Sequence, residues 1–238
     1  MDRKLKAVLF DLDDTLHDDT LAYQSAAEQV AREIEAEHGI DALALKRAYI
    51  AQAEGFWTRL DVSALSERLE NVRAQLWGSA LQQVGIDDTE LAKRSATDYV
   101  RYRGRHFTPF PGVVDLLNHL RERHLKLGIV TNGFSETHRE KIALLQIGDY
   151  FDAIFIADEV GMVKPDPLLF AHACTRLESS PSVSAMVGDR YDRDIRGALE
   201  AGLFTVWINR YDSALPAGAR PPDRTVASIS EVQAALGV

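Results

Sequence analysis

The amino-acid sequence predicts an α/β protein: an open, doubly wound parallel sheet of Rossmann-like type, interrupted by an inserted α-helical cap. Three observations carry this expectation. Short apolar runs alternate with helical patterns along most of the chain, as expected of strands covered on both faces. One interval, residues 18–106, contains no strand-like run. The apolar runs also end in polar, reactive residues, and an open α/β sheet places its ligand site outside the carboxyl ends of its strands. The expected division is an α/β core of residues 1–17 and 107–238 and a helical cap of residues 18–106.

Each element has its own signal. The first strand is "KAVLF" (6–10), which runs directly into "DLDDTLHDD" (11–19). The interval that follows is rich in Ala, Leu, Glu, Gln and Arg with apolar residues at helical spacing, as in "TLAYQSAAEQVAREIEAEHG" (20–39). Asp18 and Asp19 are placed to cap its first helix. Phe56, Trp57, Trp77 and Tyr99 read as the core of the helical bundle, and Arg101, Arg103 and Arg105 as a solvated face. Pro109, Pro111 and Gly112 punctuate the return to the sheet. The helix "GVVDLLNHLRERH" follows, then the strand "LKLGIV" (125–130) and the helix "SETHREKIALLQIG", with Ser135 as its N-cap and Gly148 as a C-cap. Next come the strand "AIFIA" (153–157), the helix around Cys174, the strand "SAMVG" (184–188), a helix ending at Gly202, and the strand "FTVWIN" (204–209). A Pro/Gly-rich loop (212–223) precedes "TVASISEVQAALG", a short strand and helix.

Composition narrows the function classes. The chain has 238 residues, and 27 basic against 36 acidic side chains leave a net charge of −9. Such a chain is not built to coat a nucleic acid polymer or an anionic membrane. No apolar run reaches the ~18 residues of a membrane span, and the basic start leads too soon into aspartates for a signal sequence. A cytoplasmic location is expected. Cys174 is the single cysteine, so an internal disulfide and a thiolate metal cluster are excluded. It shares a helical face with Leu169, Phe170, Ala173 and Leu177 and reads as core.

The chemistry gathers at the strand ends. The first strand ends at Asp11-Leu12-Asp13-Asp14-Thr15 and the second at Thr131-Asn132-Gly133. The third is followed by "ADEVGMVKPDP" with Lys164, and the fourth ends at Gly188-Asp189 with Asp192 and Asp194 beyond. Carboxylates crowded at a buried strand end repel and are costly to desolvate. They could serve as turn and cap residues, or they could hold a cation. Asp11, Asp189 and a backbone carbonyl are hard oxygen ligands suited to Mg²⁺. Lys164 supplies a positive charge, and Thr131 with the backbone N–H groups near Asn132 and Gly133 can hold phosphate oxygens. Together these suit phosphoryl transfer to a carboxylate nucleophile.

In order and spacing, "DLDDT", "VTNG", "KPDP" and "VGDRYDRDI" resemble the four motifs of the haloacid dehalogenase-like superfamily, in the phosphatase branch with a helical cap after the first motif. The resemblance spans essentially the whole chain. It implies a Mg²⁺-dependent phosphatase acting on a small phosphorylated metabolite. Asp11 would attack phosphorus and form an aspartyl-phosphate. Asp13 would protonate the leaving oxygen and then activate water. Thr131, Asn132, Gly133 and Lys164 would bind phosphate. Asp11, the Asp13 carbonyl and Asp189 would hold the metal, with Asp194 acting through water or by orienting Lys164. Dehalogenases of the superfamily lack an acid at the position of Asp13, which favours the phosphatase branch.

Other residues carry blander expectations. Asp14 and Thr15 read as turn residues, Asp192 as surface, and the seven histidines as ordinary, with His17 at the cap hinge the exception to watch. The cap is expected to supply specificity and to move about crossings near 16–18 and 105–112. Two alternatives stand beside the phosphatase: a phosphotransferase or phosphomutase using the same aspartyl-phosphate, and a non-enzymatic phospho-accepting signalling module.

Overall fold

Strand β1, Ala7–Phe10, is buried at every position, because a run of apolar residues without polar alternation has no face to offer water. In the structure, a computed structural model describing residues 4–60, 63, 65 and 67–238, it lies in the middle of a parallel sheet. Residues 1–3 of the expected core and 61, 62, 64 and 66 of the expected cap lie outside the described residues. The other strands are β2 Lys126–Thr131, β3 Ala153–Ile156, β4 Ser184–Gly188, β5 Phe204–Ile208 and β6 Arg224–Val226. Their spatial order is β3-β2-β1-β4-β5-β6, and every pairing is parallel.

This order reverses direction at β1, since β2 and β3 lie to one side and β4, β5 and β6 to the other. A reversal of this kind opens a crevice at the carboxyl ends of the strands on either side of it. The register sets what enters the crevice. Phe10 pairs with Ile129 and with Val187, so Asp11 comes level with Val130 and Gly188, one residue before Thr131 at the end of β2 and Asp189 just past β4.

The chain separates into two compact units, residues 1–18 with 108–238, and residues 19–107. The second is built on helices α1 Asp19–His38, α2 Ala42–Thr58, α3 Leu69–Gln83 and α4 Thr89–Gly104. Asp41 and Asp88 cap α2 and α4 by accepting from Leu43 N and from Glu90 N and Leu91 N. The core of this unit centres on Trp77, whose ring stacks on Tyr49 at 4.0 Å with Tyr99 beside both. Phe56 and Trp57 are only half-buried. Asp19 is the first residue of α1 rather than a cap, and Arg103 bonds both its oxygens at 2.6 and 2.7 Å. Arg103 is therefore turned inward, unlike the solvated face expected of it. Arg101 and Arg105 flank the Tyr102 ring.

The first unit carries the remaining helices: α5 Val113–Glu122, α6 Ser135–Leu144, α7 Ala157–Val160, α8 Pro167–Arg176, α9 Arg196–Ala201 and α10 Val232–Leu236. Cys174 is buried with Leu169, Phe170 and Ala173. Gly202 ends α9 in the left-handed region at φ 89°. Two expected caps differ. Phe134, not Ser135, precedes α6, and both Ser135 N and Oγ donate to Asp158 Oδ2 at 2.6 and 2.9 Å. A carboxylate from α7 thus replaces the local side chain. The helix ends at Leu144, and Gly148 opens a separate short turn. Among the described residues, no helix is long and apolar enough to cross a membrane.

Truncating a fully buried, stacked indole leaves a cavity the bundle cannot refill. Trp77→Ala should cost about 3–5 kcal/mol of the helical unit's stability, read by denaturant unfolding of the full chain. A loss under about 1 kcal/mol would show that this cluster does not hold the unit together.

Candidate active site

The β1 ladder runs one step past the strand, because Asp11 N donates to Val187 O at 3.0 Å. Beyond it Leu12 and Leu16 are buried, and Leu16 N donates to Leu12 O at 2.9 Å, closing a turn. Asp14 sits inside that turn at φ 57°, a conformation Asp tolerates better than most residues. Its carbonyl accepts from Arg210 Nη1, and the guanidinium lies 3.9 Å over the Phe110 ring. The turn sends Asp11 and Asp13 to different partners.

Asp11 is buried and faces Lys164. The ammonium bonds Asp11 Oδ1 and lies 2.7 Å from Asp194 Oδ1. Asn132 fixes the lysine's backbone from both sides, with its Oδ1 accepting from Lys164 N at 2.7 Å and its Nδ2 donating to Lys164 O at 2.9 Å. The Asn132 side chain is thus spent on Lys164, leaving its backbone for any phosphate. Asp194 is held in turn by Arg190 N, 2.9 Å from Oδ2. Gly188 makes this approach possible, since a Cβ there would lie 2.5 Å from the Asp194 carboxylate. Thr15 is more than a turn residue, because its hydroxyl donates to Asp11 Oδ2 at 3.2 Å and reaches Asp189 Oδ1 at 3.4 Å. Thr131 is buried at the end of β2, and Asp192 is exposed and pairs with Arg190.

The electrostatics of this side are those of crowded acid. Burial pushes Asp11 up to about 6, with Lys164 pulling it down and Asp194 and Asp13 pushing it further up. Burial and the charges of Asp11, Asp194 and Asp14 raise Asp189 well above the ordinary carboxylate range. Burial alone would lower Lys164, but Asp11 and Asp194 raise it instead. Oxygens of Asp11, Asp189 and Asp194 lie within 4.8 Å of one another. One lysine against three carboxylates leaves net negative charge, and an all-oxygen donor set fits a hard divalent cation.

Asp13 has the opposite surroundings. Its carboxylate lies 2.5 Å from Lys141 Nζ and 2.9 Å from His17 Nε2 through Oδ1, and 3.4 Å from His138 Nε2 through Oδ2. Burial favours the neutral form, but Lys141 and the hydrogen bonds from His138 and His17 overcome it and hold Asp13 well below the usual range. His138 was expected to be ordinary; it is buried, and its Nδ1 contacts Phe134 O at 2.9 Å. Gly133 makes room for it: at φ 148° it leaves space where a Cβ would stand 2.2 Å from the imidazole. Lys141 carried no expectation at all. Its signal lay in α6, whose inward positions Thr137, His138 and Lys141 are polar where a packed helix would place apolar residues.

A family model described as haloacid dehalogenase-like hydrolase matches residues 5–202. The glyceraldehyde 3-phosphate phosphatase of Methanopyrus kandleri is 34% identical over 87% of this chain and 84% of its own. The N-acylneuraminate-9-phosphatase of Rattus norvegicus is 34% identical over 98% of this chain and 94% of its own. Among solved structures, the HAD-hydrolase YfnB of Bacillus subtilis has the same fold, with a TM-score of 0.79 at 23% identity covering 99% of this chain and 100% of that one.

The raised Asp11 fixes the sign of a pH effect. Asp11 ordinarily titrates at 3.8 and here at about 6, so the folded chain binds the extra proton between those values. Its contribution to stability falls across that window, and the penalty is complete above it. A cation that offsets the penalty should therefore stabilise more at about pH 7.5 than at about pH 5. Thermal melts with and without Mg²⁺ check this. Equal shifts at both pH values, or none at either, would contradict a cation at these carboxylates.

Proposed function

The chain belongs to the haloacid dehalogenase-like hydrolase family and is a phosphatase; we propose that it uses Mg²⁺ and an aspartyl-phosphate on Asp11 to hydrolyse a small phosphorylated metabolite. The observation that carries this is the contrast between two neighbouring aspartates. Asp11 is buried against Lys164 in a carboxylate cluster, and Asp13 stands apart among Lys141, His17 and His138. A nucleophile and an acid–base group need such different environments.

In the proposed reaction an Asp11 oxygen bonds to phosphorus as the phosphorus–leaving-oxygen bond breaks. The leaving oxygen keeps that electron pair and takes a proton from Asp13. Water then gives a proton to Asp13 while its oxygen bonds to phosphorus, releasing phosphate and restoring Asp11. Lys164 offsets the charge on Asp11, and Thr131 with the backbone at Asn132 and Gly133 receives the phosphoryl oxygens. Asp13 is ionised in the free enzyme. The negative charge of a bound phosphoryl group offsets its cationic neighbours and favours the protonated form that a donor requires. Asp11, Asp189 and the Asp13 carbonyl would hold Mg²⁺, with Asp194 orienting Lys164. When bound, the ion supplies positive charge against the phosphoryl oxygens and the crowded carboxylates.

An acid at position 13 supports hydrolysis of phosphate esters over halide displacement, because a leaving alkoxide needs a proton and a halide does not. A hydrolase match across most of the chain gives no support to a non-enzymatic signalling module. The named relatives act on glyceraldehyde 3-phosphate and an N-acylneuraminate 9-phosphate, and a phosphorylated sugar or small acid is the corresponding class here. Specificity and a lid are assigned to the inserted helices. Within the core, the two crossings that lead to them are tied together by Phe110 N donating to Leu16 O at 2.9 Å.

Asp11→Asn should leave the fold intact and remove activity toward a panel of sugar phosphates, nucleotides and phosphoglycolate. Retention of more than about a percent of the rate, a loss of less than about 2.7 kcal/mol, would overturn the nucleophile. Activity should also require Mg²⁺, disappear in chelator, and be blocked by Ca²⁺, which takes more oxygens at longer distances and can engage Asp11 through both. Full activity in chelator would overturn the metal.

A further inference from the structure

We propose that Lys141 is a positioning residue that acts through Asp13, holding one oxygen of that carboxylate and leaving the other to exchange protons with the substrate. The inference rests on the assignment of Asp13 as the acid–base group. Its starting point is the cost of the lysine itself. The Lys141 side chain is 0% exposed, and an ammonium in that position is tenable only when paired and hydrogen-bonded. It is carried on the buried face of α6 with Thr137, His138 and Ile142, where apolar side chains would pack at no such cost.

The pairing is one-sided. Lys141 Nζ and His17 Nε2 both approach Asp13 Oδ1, at 2.5 and 2.9 Å, while among the described residues the ion-pair contact to Oδ2 is His138 Nε2 at 3.4 Å. Two close donors on one oxygen fix the rotation of the carboxylate. Oδ2 is then the oxygen that gives its proton to the leaving oxygen and takes one from water. Lys141 is fully buried and its ammonium is set against Asp13, so its effect passes through that carboxylate. Lys164 serves the other aspartate. The site thus has one lysine for the nucleophile and a second for the proton carrier.

A leaving group that needs no proton separates this role from a merely structural one. The full-length protein with Mg²⁺ is assayed with p-nitrophenyl phosphate, whose leaving group departs as a stable anion, and with a panel of alkyl phosphates. Lys141→Met should lower kcat/KM for the alkyl esters by about 100-fold or more and for p-nitrophenyl phosphate by less than about 10-fold, in line with the usual contribution of general acid catalysis. In an Asp13→Asn background the same substitution should add no further selective loss. An equal loss on both substrate types, or a full selective loss in the Asp13→Asn background, overturns the proposal. If Lys141→Met does not fold, Lys141→Gln, which removes the charge but keeps a polar side chain, carries the test: a larger loss on alkyl esters supports the proposal and an equal loss overturns it. Failure of the underlying assignment is visible separately, as wild-type protein inactive toward both substrate types or Asp11→Asn protein still active.

Discussion

The ammonium of Lys164 lies between Asp11 and Asp194, and the geometry of the core at this end of the sheet follows from that contact. Carboxylates of Asp11, Asp189 and Asp194 gathered within 4.8 Å would not stay together unaided. The surroundings of Lys164 are accordingly specified in detail. Asn132 grips its backbone at both the amide and the carbonyl, Gly188 clears the space in which Asp194 stands, and Arg190 N holds the far side of Asp194. Even so, one positive charge does not balance three negative ones. The remaining imbalance is what a divalent cation would offset.

Asp11 and Asp13 are two residues apart, yet they sit in opposite electrostatic surroundings. Asp11 is raised by burial and by neighbouring carboxylates, and Asp13 is lowered by a second lysine and two histidines. The backbone creates this separation. Asp11 extends the β1 ladder, while the turn at Asp14, braced by Arg210 on its carbonyl, directs Asp13 toward α6. The loop after β1 therefore distributes two chemically identical side chains between two environments, each with its own cation.

Much of this was legible in the sequence because buried parallel strands leave an unmistakable pattern. β1, β2, β3, β4 and β5 fall on the apolar runs that announced them to within a residue or so at each end, and the segments that follow them carried Asp11, Lys164, Asp189 and Asp194, which the structure brings together. What escaped was tertiary. Lys141 and His138 lie in a polar helix whose inward face cannot be recognised until the sheet it covers is known, because a helix with few apolar residues has no stripe to read. Thr15 looked like turn chemistry because its reach to Asp189 crosses most of the chain. Ser135 lost its capping role to Asp158 on α7, a partner the local sequence does not contain. In each case the deciding contact is distant in sequence, which local propensity does not encode.

The central claim is that phosphate passes through a covalent bond to Asp11, and it can be tested at that atom. The enzyme is mixed with Mg²⁺ and a turned-over phosphate ester, quenched during turnover, and reduced with borohydride, which converts an acyl-phosphate to an alcohol. Peptide mass spectrometry then reads the side chain at position 11. The account predicts reduction of Asp11 to the homoserine side chain, dependent on both substrate and metal, with Asp13 and Asp189 unchanged. An unmodified Asp11 under demonstrated turnover, or reduction at a different carboxylate, would contradict it.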